Sequence, residues 1–151
     1  MPSVLTVIFG YAIGSPRVTG IHTRIVDLDG YHTLSTLFHA IDLGDELFAV
    51  RRRAGFALSI AADDARDALP VQDDNLVLRA ARAFANAHPA LLGVRFHLHK
   101  RVPHGGGLGG GSSDAAAALH LCNELAGRPF GDERLCELAA VLGSDVPFFV
   151  R

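Results

Sequence analysis

An α+β fold, a mixed or antiparallel sheet packed on helices, is what the sequence predicts, and three observations carry it. β-branched and apolar segments crowd the first 62 residues, helical periodicity takes over from Asp73, and one strictly alternating segment lies between two helical stretches. The chain has 151 residues, 49% hydrophobic and 20% charged, which suits one globular domain with its own core and excludes a disordered chain.

Taken in order, Val4 to Phe9 reads as a strand by its β-branched content. A passage punctuated by Gly14, Pro16 and Gly20 runs to a turn at Asp29-Gly30. Three further strands are expected at Thr33–Leu43, Glu46–Arg52 and Phe56–Ala62. Turns at Gly44-Asp45 and Ala54-Gly55 would join them into an antiparallel meander. Asp73-Asp74-Asn75 can cap a helix with Leu76, Leu78, Ala81, Phe84 and Ala85 on its apolar face, stopped near His88-Pro89. Val94 to His99 alternates as a half-buried strand does. A helix through Ala115–Ala118, Leu119, Leu121 and Leu125 closes at Gly127, and another spans Asp132 to Leu142. Ser144 to Arg151 is expected to begin a new extended segment. No repeat or linker interrupts the chain.

A formal net charge of −2 argues against a nucleic-acid or anionic-membrane partner held by bulk electrostatics, so any phosphate must be gripped locally. No apolar run approaches the ~18 residues of a membrane span. Met1-Pro2-Ser3-Val4 has no basic stretch or cleavage site, and the cytoplasm is the expected compartment. Cys122 and Cys136 read as reduced helix residues packed in the core. Thirteen arginines accompany a single lysine, Lys100, so one position alone could supply a mobile ammonium. His97 and His99 share a strand face, and no third or fourth zinc ligand is evident beside them or His104. Arg51-Arg52-Arg53 reads as a solvated hairpin end that discourages strand pairing.

Residues 103–114 are the most informative stretch. Six glycines in the seven positions 105–111 clear Cβ atoms from the backbone just where a strand feeds a helix that opens with Ser112, Ser113 and Asp114. Helix-mouth N–H groups and the positive end of the dipole converge there, which suits a phosphate. A free solvent loop would need only one or two glycines. A Walker A loop is excluded, because Gly111 stands where its lysine belongs. A dinucleotide fingerprint is matched at Gly105, Gly107 and Gly110 but lacks an acid at a second strand end, since Glu124 lies within the helix. A serine-hydrolase elbow fails because Asp114, not glycine, sits two residues after Ser112.

The string from Lys100 through Pro103, His104, Gly105, Gly106, Gly107, Leu108, Gly109, Gly110, Gly111, Ser112 and Ser113 to Ala116 resembles the second motif of the GHMP kinase superfamily. Asp29-Gly30-Tyr31-His32-Thr33-Leu34 and Leu142-Gly143-Ser144-Asp145-Val146-Pro147-Phe148-Phe149 fit the same family in order and spacing. Leu43-Gly44-Asp45 and Asp74-Asn75-Leu76-Val77 add weaker support. The likeness is to the branch that phosphorylates a cytidine-diphosphate-linked methylerythritol in the non-mevalonate isoprenoid pathway. It implies the family's N-terminal domain, with the fold of the second domain of ribosomal protein S5, over residues 1–151. It also implies ATP and Mg²⁺ as cofactors, with Pro103 to Ser113 wrapping the ATP phosphates. Tyr31 and His32 match the cytosine-recognition pair, and Asp145 matches the catalytic aspartate. Residues 1–28 are atypical: counting back from Tyr31 places Pro16 where the family's lysine belongs and Val18 at its asparagine. The family's C-terminal domain is expected to be absent. The alternatives are a nucleotide-binding or inactive fragment of such a kinase, or a GHMP kinase for another small alcohol.

Overall fold

The computed structural model describes residues 4–7, 27–28, 31–32, 44–62, 74–103 and 108–150. In chain order these hold β1 (Val4–Val7), β2 (Asp27–Leu28), β3 (Tyr31–His32), β4 (Glu46–Arg51), β5 (Gly55–Ala62) and α1 (Leu76–Ala87). Then come β6 (Gly93–Lys100), α2 (Gly110–Leu125), α3 (Asp132–Ala140) and the short 3₁₀ helix η1 (Val146–Phe149). Strands β1, β4, β6 and β5 lie side by side in that order as one sheet, and β2 pairs with β3 as a second, two-stranded one. Asp27 opposes His32 and Leu28 opposes Tyr31, while the turn expected at Asp29-Gly30 lies outside the described residues. The strands expected at Thr33–Leu43 and at Ile8-Phe9 lie outside the described residues.

The expected meander through residues 31–62 is corrected. β4 and β5 do not pair with each other; β6 lies between them, antiparallel to β4 and parallel to β5. The donors of the β4–β5 connection explain this, since Arg52 N–H donates to the Gly93 carbonyl at 2.9 Å and Gly55 N–H to that of Leu92 at 3.0 Å. The start of β6 therefore takes the hydrogen bonds a hairpin would have closed on itself. Such an approach needs a residue without a side chain: a Cβ on Gly93 would stand 2.4 Å from the Gly55 carbonyl oxygen and 2.6 Å from the Ala54 carbonyl carbon. Gly93→Ala is expected to cost about 1–3 kcal/mol of stability, because backbone cannot swing aside as a side-chain tip can. A denaturant melt reads the loss, and an unchanged midpoint would refute the wedge.

One face of the sheet is covered by helices. β6 buries Val94, Phe96 and Leu98 while Arg95 and His97 face outward, and β4 buries Leu47 and Ala49 on the same side. α1 starts at Asn75, whose side-chain oxygen accepts from Val77 N–H at 2.9 Å, and it buries Val77, Leu78, Ala80, Ala81 and Phe84. α2 is enclosed through its middle by α1, α3, η1 and β4, so Ala115 to Ala118 are all buried, and only small side chains allow neighbours so close on every side. Gly127, at φ +84°, follows its end as expected.

The extended segment expected from Ser144 is also corrected. Pro147 sits in the first turn of η1, whose bonds run from Phe148 N–H to the Asp145 carbonyl and from Val150 N–H to that of Pro147. Val146 and Val150 are buried in the core, on the side of the turn that packs against α2 and α3.

Candidate functional site

The glycine loop is framed by β6 and α2. Its residues 104–107, including His104, Gly105, Gly106 and Gly107, lie outside the described residues. On the near side Pro103 is exposed, and on the far side Leu108 is 49% exposed. Gly109 caps α2 in the left-handed conformation, at φ +72° and ψ 11°, which a side chain rarely tolerates. The first backbone hydrogen bond of α2 is Ser113 N–H to the Gly109 carbonyl at 2.9 Å. The N–H groups of Gly110, Gly111 and Ser112 precede it and point out along the helix axis, where the dipole is positive. The Ser113 hydroxyl donates to the Gly110 carbonyl at 2.9 Å, which ties the first turn together. No acidic residue occupies that turn to offset the dipole.

The segment that follows Asp145 packs on this end of α2. Phe149, one turn after Asp145, lays its ring on Gly109, 2.8 Å from where a Cβ would stand. His120 of α2 meets the Val150 carbonyl at 3.1 Å. The Asp145 side chain is exposed, and its Oδ1 accepts from the Ser144 hydroxyl at 3.1 Å. The loop's far end and the Asp145 segment are thus packed together. Tyr31 and His32 form β3 against β2.

Behind the helix mouth lies a group that the motifs did not single out. Lys100, Asp45 and Asp114 are 3%, 5% and 6% exposed. The Lys100 ammonium donates to Asp45 Oδ2 and, at 3.1 Å, to Asp114 Oδ2. Asp45 Oδ1 accepts the backbone N–H groups of Arg101 at 2.6 Å and Val102 at 2.9 Å, the first residues to leave β6. Both sides of the loop are therefore fastened to one buried ammonium. Burial raises the Asp114 carboxyl to about 7, against the pull of Lys100 and with a smaller push from Asp45. The only lysine of the chain, at the end of a strand with an acid fourteen residues on, was the available sequence signal.

The other candidates take structural places. His97 is exposed and its Nδ1 is 2.9 Å from the Ser59 hydroxyl, while His99 approaches Glu46 at 4.0 Å. Arg51 reaches the Ala90 carbonyl at 3.3 Å, and Arg51 to Arg53 line a shallow open hollow with Leu92 at the opposite end of β6 from the glycine loop. Cys122 is buried, which pushes its thiol up, and Cys136 is half-buried. No described helix is long and apolar enough to cross a membrane.

Comparison with known proteins agrees with this architecture. Residues 75–151, which hold α1, β6, the loop, α2, α3 and η1, match the family model for the GHMP kinases N terminal domain. A protein of Salinispora tropica named 4-diphosphocytidyl-2-C-methyl-D-erythritol kinase is 48% identical over 90% of this chain and 43% of its own length. One of the same name from Marinobacter nauticus is 47% identical over 91% of the chain and 48% of its own length. A crystal structure of 4-(cytidine 5'-diphospho)-2C-methyl-D-erythritol kinase, 39% identical, superposes on 85% of this chain and 43% of its own with a TM-score of 0.69. The chain spans slightly under half the length of these relatives. A homoserine kinase from Cytophaga hutchinsonii, 20% identical with a TM-score of 0.57, shares the fold. By sequence match and shared fold, the chain belongs to the GHMP kinases and carries their N-terminal domain.

Proposed function

We propose that the chain is the nucleotide-binding part of an ATP-dependent kinase that phosphorylates 4-diphosphocytidyl-2-C-methyl-D-erythritol at its 2-hydroxyl. The observation that carries this is the mouth of α2, where left-handed Gly109 turns the N–H groups of Gly110, Gly111 and Ser112 toward one volume beside the Asp145 segment. Pro103 to Ser113 would enclose the ATP phosphates, their N–H groups offsetting charge on the transferring phosphoryl group. Asp145, exposed in the segment whose Phe149 packs on Gly109, would accept the substrate hydroxyl proton as the new O–P bond forms and the bond to ADP breaks. Tyr31 would stack on the cytosine ring and His32 would bond its edge. Mg²⁺, carried by the ATP phosphates, would neutralise their charge; among the described residues no three acidic, His or Cys side chains gather to hold a metal unaided. The cytoplasm is the compartment that fits a soluble nucleotide and a small-molecule substrate.

A second reading, nucleotide binding without turnover, is favoured by one specific observation. The family's lysine position holds Pro16, and Lys100, the only lysine, is buried between two carboxylates and cannot stand in for it. Titration with ATP and magnesium, followed by addition of the cytidylyl substrate, separates the two. Saturable binding with ADP release supports the kinase, and saturable binding alone supports the second reading. Absence of binding overturns both.

A further inference from the structure

We propose that Lys100, Asp45 and Asp114 are positioning residues that couple the affinity of the α2 mouth (Gly109 to Ser112) for a polyphosphate to uptake of a proton at Asp114. This rests on the reading of the loop as a nucleotide site. The three side chains come from separate segments: Asp45 precedes β4, Lys100 ends β6, and Asp114 lies in the second turn of α2. One ammonium joins the two carboxylates, and Asp45 also holds the backbone of Arg101 and Val102. The group sits directly behind the helix mouth, because a Cβ on Gly110 would stand 2.9 Å from the Lys100 Nζ. Only glycine lets the ammonium lie so near the backbone whose N–H groups face the ligand.

Charge follows from this geometry. With both carboxylates ionised the group carries −1 in a water-poor place, and a polyphosphate binding at the mouth is repelled. A proton on Asp114 brings the group to zero while its carboxyl still meets Lys100. The charged side chains acting on Asp114 among the described residues are Lys100 of β6 and Asp45 ahead of β4, and burial holds the carboxyl at about 7. A bound polyphosphate raises it further, so near neutrality binding draws in a proton. By linkage, affinity strengthens as the pH falls through about 7.

Calorimetric titration of the full chain with ATP tests this, with magnesium in excess so that the nucleotide's own terminal phosphate is ionised. At pH 7, two buffers of different protonation enthalpy report proton uptake. The wild type is expected to take up about half a proton and to lose affinity several-fold from pH 6 to pH 8. Asp114→Asn, which keeps an oxygen for Lys100, is expected to take up none and to bind equally across that range. Zero uptake by the wild type overturns the coupling whatever the variant does, as does an unchanged uptake in Asp114→Asn. Failure of the wild type to bind ATP at any pH overturns the nucleotide reading itself, and the coupling with it.

Discussion

Lys100→Met is expected to destabilise the domain by about 3–5 kcal/mol, the usual result of removing one partner from a buried ionic group. Methionine matches the length of the lysine stem, so packing changes little and the loss isolates the charge. Asp45 would lose its cation at 5% exposure, where water cannot solvate it, and Asp114, freed from the pull of Lys100, would hold its proton more tightly. Asp45 would still hold Arg101 and Val102, whereas Asp114 would lose its tie to β6. Urea denaturation followed by far-UV circular dichroism measures the effect. Lys100→Met combined with Asp45→Asn and Asp114→Asn is expected to recover a good part of it, since no charge is then stranded. A single variant as stable as the wild type would show that the ammonium contributes nothing to holding the loop's flanks.

Gly109→Val is expected to reduce ATP affinity by on the order of 100-fold, about 2.7 kcal/mol. Two independent obstacles meet at this position. A β-branched residue at φ +72° is strained whatever the space around it, and its Cβ would stand 2.8 Å from the Phe149 ring. Relieving the strain rotates the first turn of α2, which re-aims the N–H groups of Gly110, Gly111 and Ser112. The double variant Gly109→Val with Phe149→Ala removes the ring but not the strained backbone, and should remain weak. Titration with ATP beside a thermal melt separates lost binding from lost folding. Retained affinity in a folded Gly109→Val protein would show that the nucleotide sits elsewhere.

Local signals were legible where one segment settles its own conformation. The Asn75 cap, the alternation of Val94 to His99 and the alanine run after the loop each encode their element within a few residues, and the structure carries all three. The order of strands was not legible, because β4 and β5 have the turn and composition of a hairpin. What separates them is a third strand, β6, that follows α1 and competes for the same donors. The Ser144–Arg151 segment misled for a similar reason: Val146, Phe148, Phe149 and Val150 favour a strand, yet burial against α2 and α3 imposes a turn of helix. At the site, the glycine string announced itself by composition. Lys100 stood out as the single lysine, but its partnership with Asp45 and Asp114 exists only after their three segments meet.

The insertion of β6 between β4 and β5 also governs the order of assembly. A hairpin can zip as it leaves the ribosome, but here the central strand is made last, after α1. Until residue 100 has emerged, β5 has no neighbour among the described strands and β4 has only β1. High contact order of this kind slows folding and leaves unpaired edges exposed to other nascent chains. A fragment ending before Gly93 leaves β4 and β5 each with an edge that β6 covers in the folded chain.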